Sequence, residues 1–129
     1  MSIPSLLPDA EYDVMTVVWD QPSPITSIQV SALVKQKKNW KTQTVLTLLS
    51  RLTKRGYLNS EKIGKELHHT PLVSKAEYLE AETGSFIKKY HGNSLKGLLN
   101  ALYSEKHTDE KALSELEEFI NAKKNQKDE

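Results

Sequence analysis

The chain has 129 residues, 37% of them hydrophobic and 27% charged, with a formal net charge of +1 and no cysteine. That is enough for one domain with a modest core plus an accessory segment, and the composition is that of a folded chain. It excludes disulfides, thiol chemistry and every cysteine-based metal centre; with no apolar run near the ~18 residues of a bilayer span and no signal-peptide pattern at Met1-Ser2-Ile3-Pro4, a cytoplasmic protein without membrane insertion is expected.

Pro8-Asp9 announces the first helix. Asp9 is a good N-cap type, and Tyr12, Met15, Val18 and Trp19 follow near helical spacing until Gln21-Pro22-Ser23-Pro24 forbids continuation. Thr26-Ser27-Ile28-Gln29 reads as a capping box opening a second helix, with Ile28, Ala32 and Leu33 expected to face inward. The third helix is the most clearly patterned. Thr42 is its expected N-cap, Val45, Leu48, Leu49 and Leu52 form an i, i+3, i+4, i+7 stripe, and Gly56 stands where a terminating glycine belongs. At ~100° per residue the opposite side carries Gln43, Thr47, Ser50 and Lys54, flanked by Leu46 and Arg51.

After Gly56 the pattern changes to two strands, 57–63 and 66–73, turning at Gly64-Lys65, with Pro71 needing an edge or strand-end position. Ser74-Lys75-Ala76-Glu77 is a second capping box, opening a helix to about Tyr90. Leu95, Leu98, Leu99 and Leu102 repeat the four-residue stripe, and a final helix carries Leu113, Leu116, Phe119 and Ile120, with 123–129 expected to fray. The expected fold class is therefore mainly α with a small β-hairpin: a winged helix-turn-helix over 1–73, then a helical dimerisation segment over 74–129.

The near-neutral total hides an uneven distribution. Between Lys35 and Lys65 lie nine basic residues and one acid, Glu61, whereas from Ser74 onward 9 basic residues face 11 acidic ones. A local excess of that size marks a polyanion-binding face. A major groove accepts one helix, held from behind by apolar contacts and presenting short polar side chains in front. The third helix meets both conditions, with Gln43, Thr44, Leu46, Thr47 and Ser50 as candidate base readers. Lys38, Lys41, Arg51, Lys54 and Arg55, with Lys62 and Lys65 of the wing, are candidates for phosphates. The leucine stripes of 95–102 and 113–120 lie beyond a unit that closes its own core, so they are expected to pair two copies, most simply as a two-fold homodimer on a pseudo-palindromic double-stranded operator.

No cofactor, metal site or enzymatic activity is expected. His68 and His69 are adjacent in a strand and point to opposite faces, while His91 and His107 stand alone; solvated or locally hydrogen-bonded histidines are the expectation. The chain has no G-x-S-x-G, no phosphate loop and no H-E-x-x-H, and Glu115, Glu117 and Glu118 read as one solvated face.

Two stretches carry a family resemblance. These are 10–15 (Ala-Glu-Tyr-Asp-Val-Met) with Trp19, and Trp40 with 44–58, which joins Thr-Val-Leu-Thr-Leu-Leu-Ser-Arg-Leu to a Lys-Arg-Gly-Tyr-Leu exit into the wing. Over nearly its whole length the chain resembles the penicillinase and methicillin-resistance repressors, winged-helix dimers of bacteria. The resemblance implies repression by operator occlusion at β-lactamase or penicillin-binding-protein genes. It also implies relief by a membrane sensor-protease that cuts the dimerisation segment after an asparagine, here Asn100-Ala101. Two positions depart from the pattern: Ala101 stands where relatives carry an aromatic, and Leu46 where some carry arginine. A copper-sensing branch uses a C-terminal cysteine cluster that this chain lacks. Two other classes fit the bare pattern: a winged-helix regulator of other genes controlled by a small-molecule ligand, and a winged-helix protein-interaction module.

Overall fold

The third helix is packed between the two helices before it and the strand after it. In the computed structural model, which describes residues 3–104 and 109–127, two compact units divide the chain, Met1–Thr83 and Gly84–Glu129. The first contains α1 (Asp9–Trp19), β1 (Ile25–Thr26), α2 (Ser27–Lys38), α3 (Thr42–Arg55), β2 (Leu58–Ile63), β3 (Glu66–Pro71) and the start of α4 (Lys75–His91). The three helices pack on one another around Val14, Met15, Val18, Val30, Val34, Val45, Leu49 and Leu52.

The α3 stripe is fully internal, with Val45, Leu48, Leu49 and Leu52 all buried. The helix stops where a residue with positive φ is required. Gly56 adopts φ 91, its amide bonds the Thr53 carbonyl, and the Tyr57 amide bonds that of Leu52, which satisfies carbonyls the helix leaves open. Thr42 is the first helical residue rather than the N-cap; Lys41 takes that position and makes no side-chain cap. Asp9 is likewise inside α1, behind Pro8, where a first-turn carboxylate still complements the helix dipole.

Both capping boxes form. Thr26 Oγ1 accepts from the Gln29 amide at 3.1 Å while Gln29 Oε1 accepts from the Thr26 amide at 2.9 Å; Ser74 and Glu77 exchange the same pair at 3.1 and 3.0 Å. The phase of α2 differs from the expected one. Ser27, Val30, Ser31 and Val34 point inward, Ile28 is 66% exposed, Ala32 is exposed and Leu33 is half-buried. Two serines on the inner face made hydropathy a poor guide to it.

The sheet has three antiparallel strands in the order β1-β3-β2, so β3 is central and Pro71 occupies its last position, opposite Leu58. The two-residue β1, which pairs Ile25 with His69, is too short for alternation to reveal. Gly64 turns the hairpin with φ 65.

The first unit runs past the wing into α4 because Tyr78 is wholly buried there. Its phenol oxygen accepts from the Leu7 amide at 2.9 Å and its ring packs on Tyr57, Tyr12 and Trp19. Burial raises the Tyr78 phenol well above its ordinary range, so it stays protonated.

In the second unit α5 (Leu95–Ser104) starts at Ser94, whose hydroxyl caps the Gly97 amide at 2.9 Å, and α6 (Glu110–Lys127) starts at Asp109, which caps Ala112 at 2.8 Å. The expected fraying from residue 123 is not found over the described part, since α6 continues to Lys127. His107, Asp128 and Glu129 lie outside the described residues.

Candidate nucleic-acid interface

With its leucines turned inward, α3 presents Gln43, Thr44, Leu46, Thr47 and Ser50 outward, every one of them exposed. This follows from the 3.6-residue period: a stripe at 45, 48, 49 and 52 leaves 43, 47, 50 and 54 on the far side. Gln43, Thr44, Thr47 and Arg51 share a shallow groove on that side. Thr47 Oγ1 donates to the Gln43 carbonyl at 3.0 Å, so toward solvent this hydroxyl offers lone pairs only. It therefore suits the amino groups of adenine or cytosine.

The cations divide into three groups. Lys41, Arg51, Lys54, Lys62 and Lys65 are exposed, and among the described residues none is in an ion pair. Lys38 lies 3.5 Å from Asp13, a partly solvated pair that costs little to open. Arg55, also expected on a phosphate, is different in that it already has a partner within the protein. Its Nε donates to Glu11 Oε1 at 2.6 Å, and the Glu11 side chain is only 3% exposed. A carboxylate so far from water needs a fixed counter-charge, and Arg55 is that charge. The pair clamps α1 to the end of α3, and its partners lie 44 positions apart, beyond any local motif.

The wing supplies the other side. The hairpin carries Lys62 and Lys65 near its turn, with Ile63 and Leu67 exposed beside them. Between wing and α3 lies a cleft of about 330 Å³ walled by Leu46, Leu49 and Leu67, with Lys54 as its charged side chain. His69 closes its floor and is 2% exposed, whereas His68 on the opposite face is half-buried. His69 is thus not a solvated histidine. Nε2 lies 2.7 Å from Ser27 Oγ and Nδ1 2.7 Å from Ser60 Oγ. Burial, followed by the nearby His68, lowers its pKa, so the ring is neutral. Adjacent histidines flagged this strand, but only the fold supplies the serines, from 42 and 9 positions away.

The residues expected to pair two copies lie in the second unit. Leu95, Leu99, Leu102, Leu113, Phe119 and Ile120 are exposed, Leu98 and Leu116 half-buried, and α5 buries no residue at all. Asn100 and Ala101 are both exposed on α5. Among the described residues, no helix is long and apolar enough to cross a membrane, and no group of three or more acidic or histidine side chains is arranged to hold a metal ion.

Three helices, the third with an apolar back and a polar front, followed by a hairpin beside that front, define a winged helix-turn-helix protein. The chain belongs to the penicillinase repressor family, whose model matches residues 7–122. It is 32% identical over 122 residues to the penicillinase repressor of Bacillus licheniformis, covering 94% of both chains. It is 23% identical over 114 residues to the methicillin resistance regulatory protein MecI of Staphylococcus aureus (strain N315), covering 88% of this chain and 92% of that one. The solution structure of the monomeric form of Bacillus licheniformis BlaI in complex with the blaP half-operator superposes with a TM-score of 0.53 at 33% identity, over 60% of this chain and 94% of that one.

Proposed function

We propose that this protein is a dimeric transcriptional repressor of antibiotic-resistance genes, those for a β-lactamase or a penicillin-binding protein. Each copy lays α3 in the major groove of one half-site, with Gln43, Thr44, Leu46, Thr47 and Ser50 against base edges. Lys38, Lys41, Arg51 and Lys54 hold the phosphates beside the groove, and Lys62 and Lys65 hold those under the wing. The observation that carries the reading is the two-sidedness of α3: four buried aliphatic residues behind, and an exposed polar front beside the exposed cations Lys41, Arg51 and Lys54. The BlaI complex supports it, since there one monomer engages a half-operator.

In this reading residues 1–73 bind DNA and 74–129 pair two copies, with the first turns of α4 bracing the winged helix through Tyr78. The exposed apolar side chains of α5 and α6 support pairing, because seven large ones left in water among the described residues of 95–120 call for a partner surface. Relief comes from a membrane sensor-protease cutting Asn100-Ala101. A ten-residue helix with nothing buried opens easily enough to enter a protease. Separating the halves removes the linkage that makes the second half-site an intramolecular event, and affinity falls ~10²–10⁴-fold with every DNA contact intact.

The test is a binding titration across a salt series. DNA affinity with a steep salt slope is expected; Lys54→Ala flattens the slope by ~0.9 per lost contact, while Gln43→Ala relaxes preference at one or two positions and leaves the slope alone. The reverse assignment of the two variants would overturn the docking, and no affinity for any duplex at low salt would overturn the function.

A further inference from the structure

His69 has both ring nitrogens engaged, and the hydroxyls around it leave its protons one arrangement. Thr53 Oγ1 donates to the Leu49 carbonyl at 2.9 Å, so its single proton is used, and at 2.7 Å from Ser60 Oγ it must accept from Ser60. The Ser60 proton is thereby used, so Ser60 Oγ accepts from His69 Nδ1–H at 2.7 Å. A neutral ring protonated on Nδ1 accepts at Nε2, here from the Ser27 hydroxyl at 2.7 Å. The chain of hydrogen bonds runs one way, from Ser27 at the start of α2, through β3 and β2, into the backbone of α3.

Building on the DNA-binding reading above, we propose that His69 is the positioning residue of the wing: its neutral Nδ1–H imidazole sets the angle of the hairpin against α3, and with it the simultaneous reach of α3 and of Lys62 and Lys65 onto one duplex. The register explains why an angle matters. Ser60 pairs with His69, and the turn at Gly64 is four residues further along. At ~3.3 Å per residue that lever is about 13 Å long, so a tilt of about 10° moves the tip by about 2 Å. A shift of that size breaks a charge-assisted contact of roughly 2.8 Å. Imidazole suits the position because a rigid ring presents one donor and one acceptor on different edges. A leucine there would leave the Ser27 and Ser60 hydroxyls without these partners.

A proton on Nε2 destroys the one-way order, since the Ser27 hydroxyl then has to accept instead of donate. The groups that set this titration are few. From α3, Lys54 lines the same cleft; on β3, His68 is adjacent but on the opposite face, where Glu61 of β2 is its register partner. β1 and the start of α2 contribute Ile25, Thr26 and Ser27, none of them ionisable. Burial opposes protonation of the His69 ring, and the neighbouring His68 acts in the same direction.

The test uses the full-length protein and a mixed-sequence duplex of about 30 base pairs, three helical turns. Long-range ¹H–¹⁵N spectra of the imidazoles, with His69→Gln identifying the His69 signal, are expected to show Nδ1–H and bare Nε2 at neutral pH. His69→Gln keeps one donor and one acceptor, and is expected to bind within about threefold of wild type. His69→Phe is expected to bind about tenfold more weakly, with a salt slope smaller by about 2, the share of two wing phosphates. Between about pH 8 and about pH 5, protonation of solvent histidines ordinarily tightens DNA binding. Here the wild type is expected to weaken toward the acid end, and His69→Gln to lack that loss. A proton on Nε2 at neutral pH overturns the proposal whether or not His69→Phe folds. A folded His69→Phe with wild-type affinity and slope overturns it too. An absence of wild-type binding to any duplex at low salt overturns the DNA-binding reading itself, a failure distinct from normal wild-type binding with no effect at His69.

Discussion

Two helices of this protein carry the same aliphatic spacing and meet opposite fates. In α3, Val45, Leu48, Leu49 and Leu52 are each 5% exposed or less; in α5, Leu95 is 68% exposed, Leu99 and Leu102 over a third, and no residue is buried. An i, i+3, i+4, i+7 stripe specifies a helix with one apolar face, and leaves open what that face lies against. In the first unit α1, α2 and the sheet close over the stripe; in the second it remains open, and a twin chain is the proposed cover.

The largest expected effect tests that contrast directly. Leu52→Ala deletes a wholly buried side chain and should cost about 2–5 kcal/mol in a urea melt of the first unit's tryptophan signal, while Leu102→Ala should leave that transition in place. Leu102→Ala should instead raise the dissociation constant for self-association by tenfold or more in sedimentation equilibrium, because a two-fold interface loses the side chain twice. Equal destabilisation of dilute monomer by both variants would mean that the α5 stripe is packed within its own chain.

Next in size is Arg55→Ala, which strands the Glu11 carboxylate inside the first unit. A loss of roughly 3 kcal/mol is expected, at the low end for a buried pair because Arg55 itself is partly solvated. Little change in the melt, together with a lower salt slope for DNA, would return Arg55 to the phosphate-binding group. Smallest is Ser74→Ala, which removes the cap of α4 and should cost about 1 kcal/mol by the same urea melt; a null result would show that Tyr78 alone holds the first turns.

Signals spanning a few residues were legible before any coordinates. The α3 stripe, Gly56 at its end, the Gly64 turn and the boxes at Thr26 and Ser74 each depend on neighbours within one or two turns. The exposed front of α3 was legible for the same reason, being the complement of its stripe. The inward face of α2 was not, since Ser27 and Ser31 occupy it while Ile28 faces water. Nor was the two-residue β1, or the difference between Arg55 and its neighbour Lys54, which have the same charge and adjacent places in one basic run.

Local periodicity and capping chemistry therefore determined the helices, the hairpin and the polar side of α3, because those interactions act between residues close along the chain. Tertiary structure alone decided that Arg55 serves Glu11, that His69 joins serines and a threonine from three other elements, and that Tyr78 draws α4 into the first core. Each of these requires groups far apart in sequence to leave water together, and a buried charge or imidazole acquires its role from whichever partner the fold brings to it.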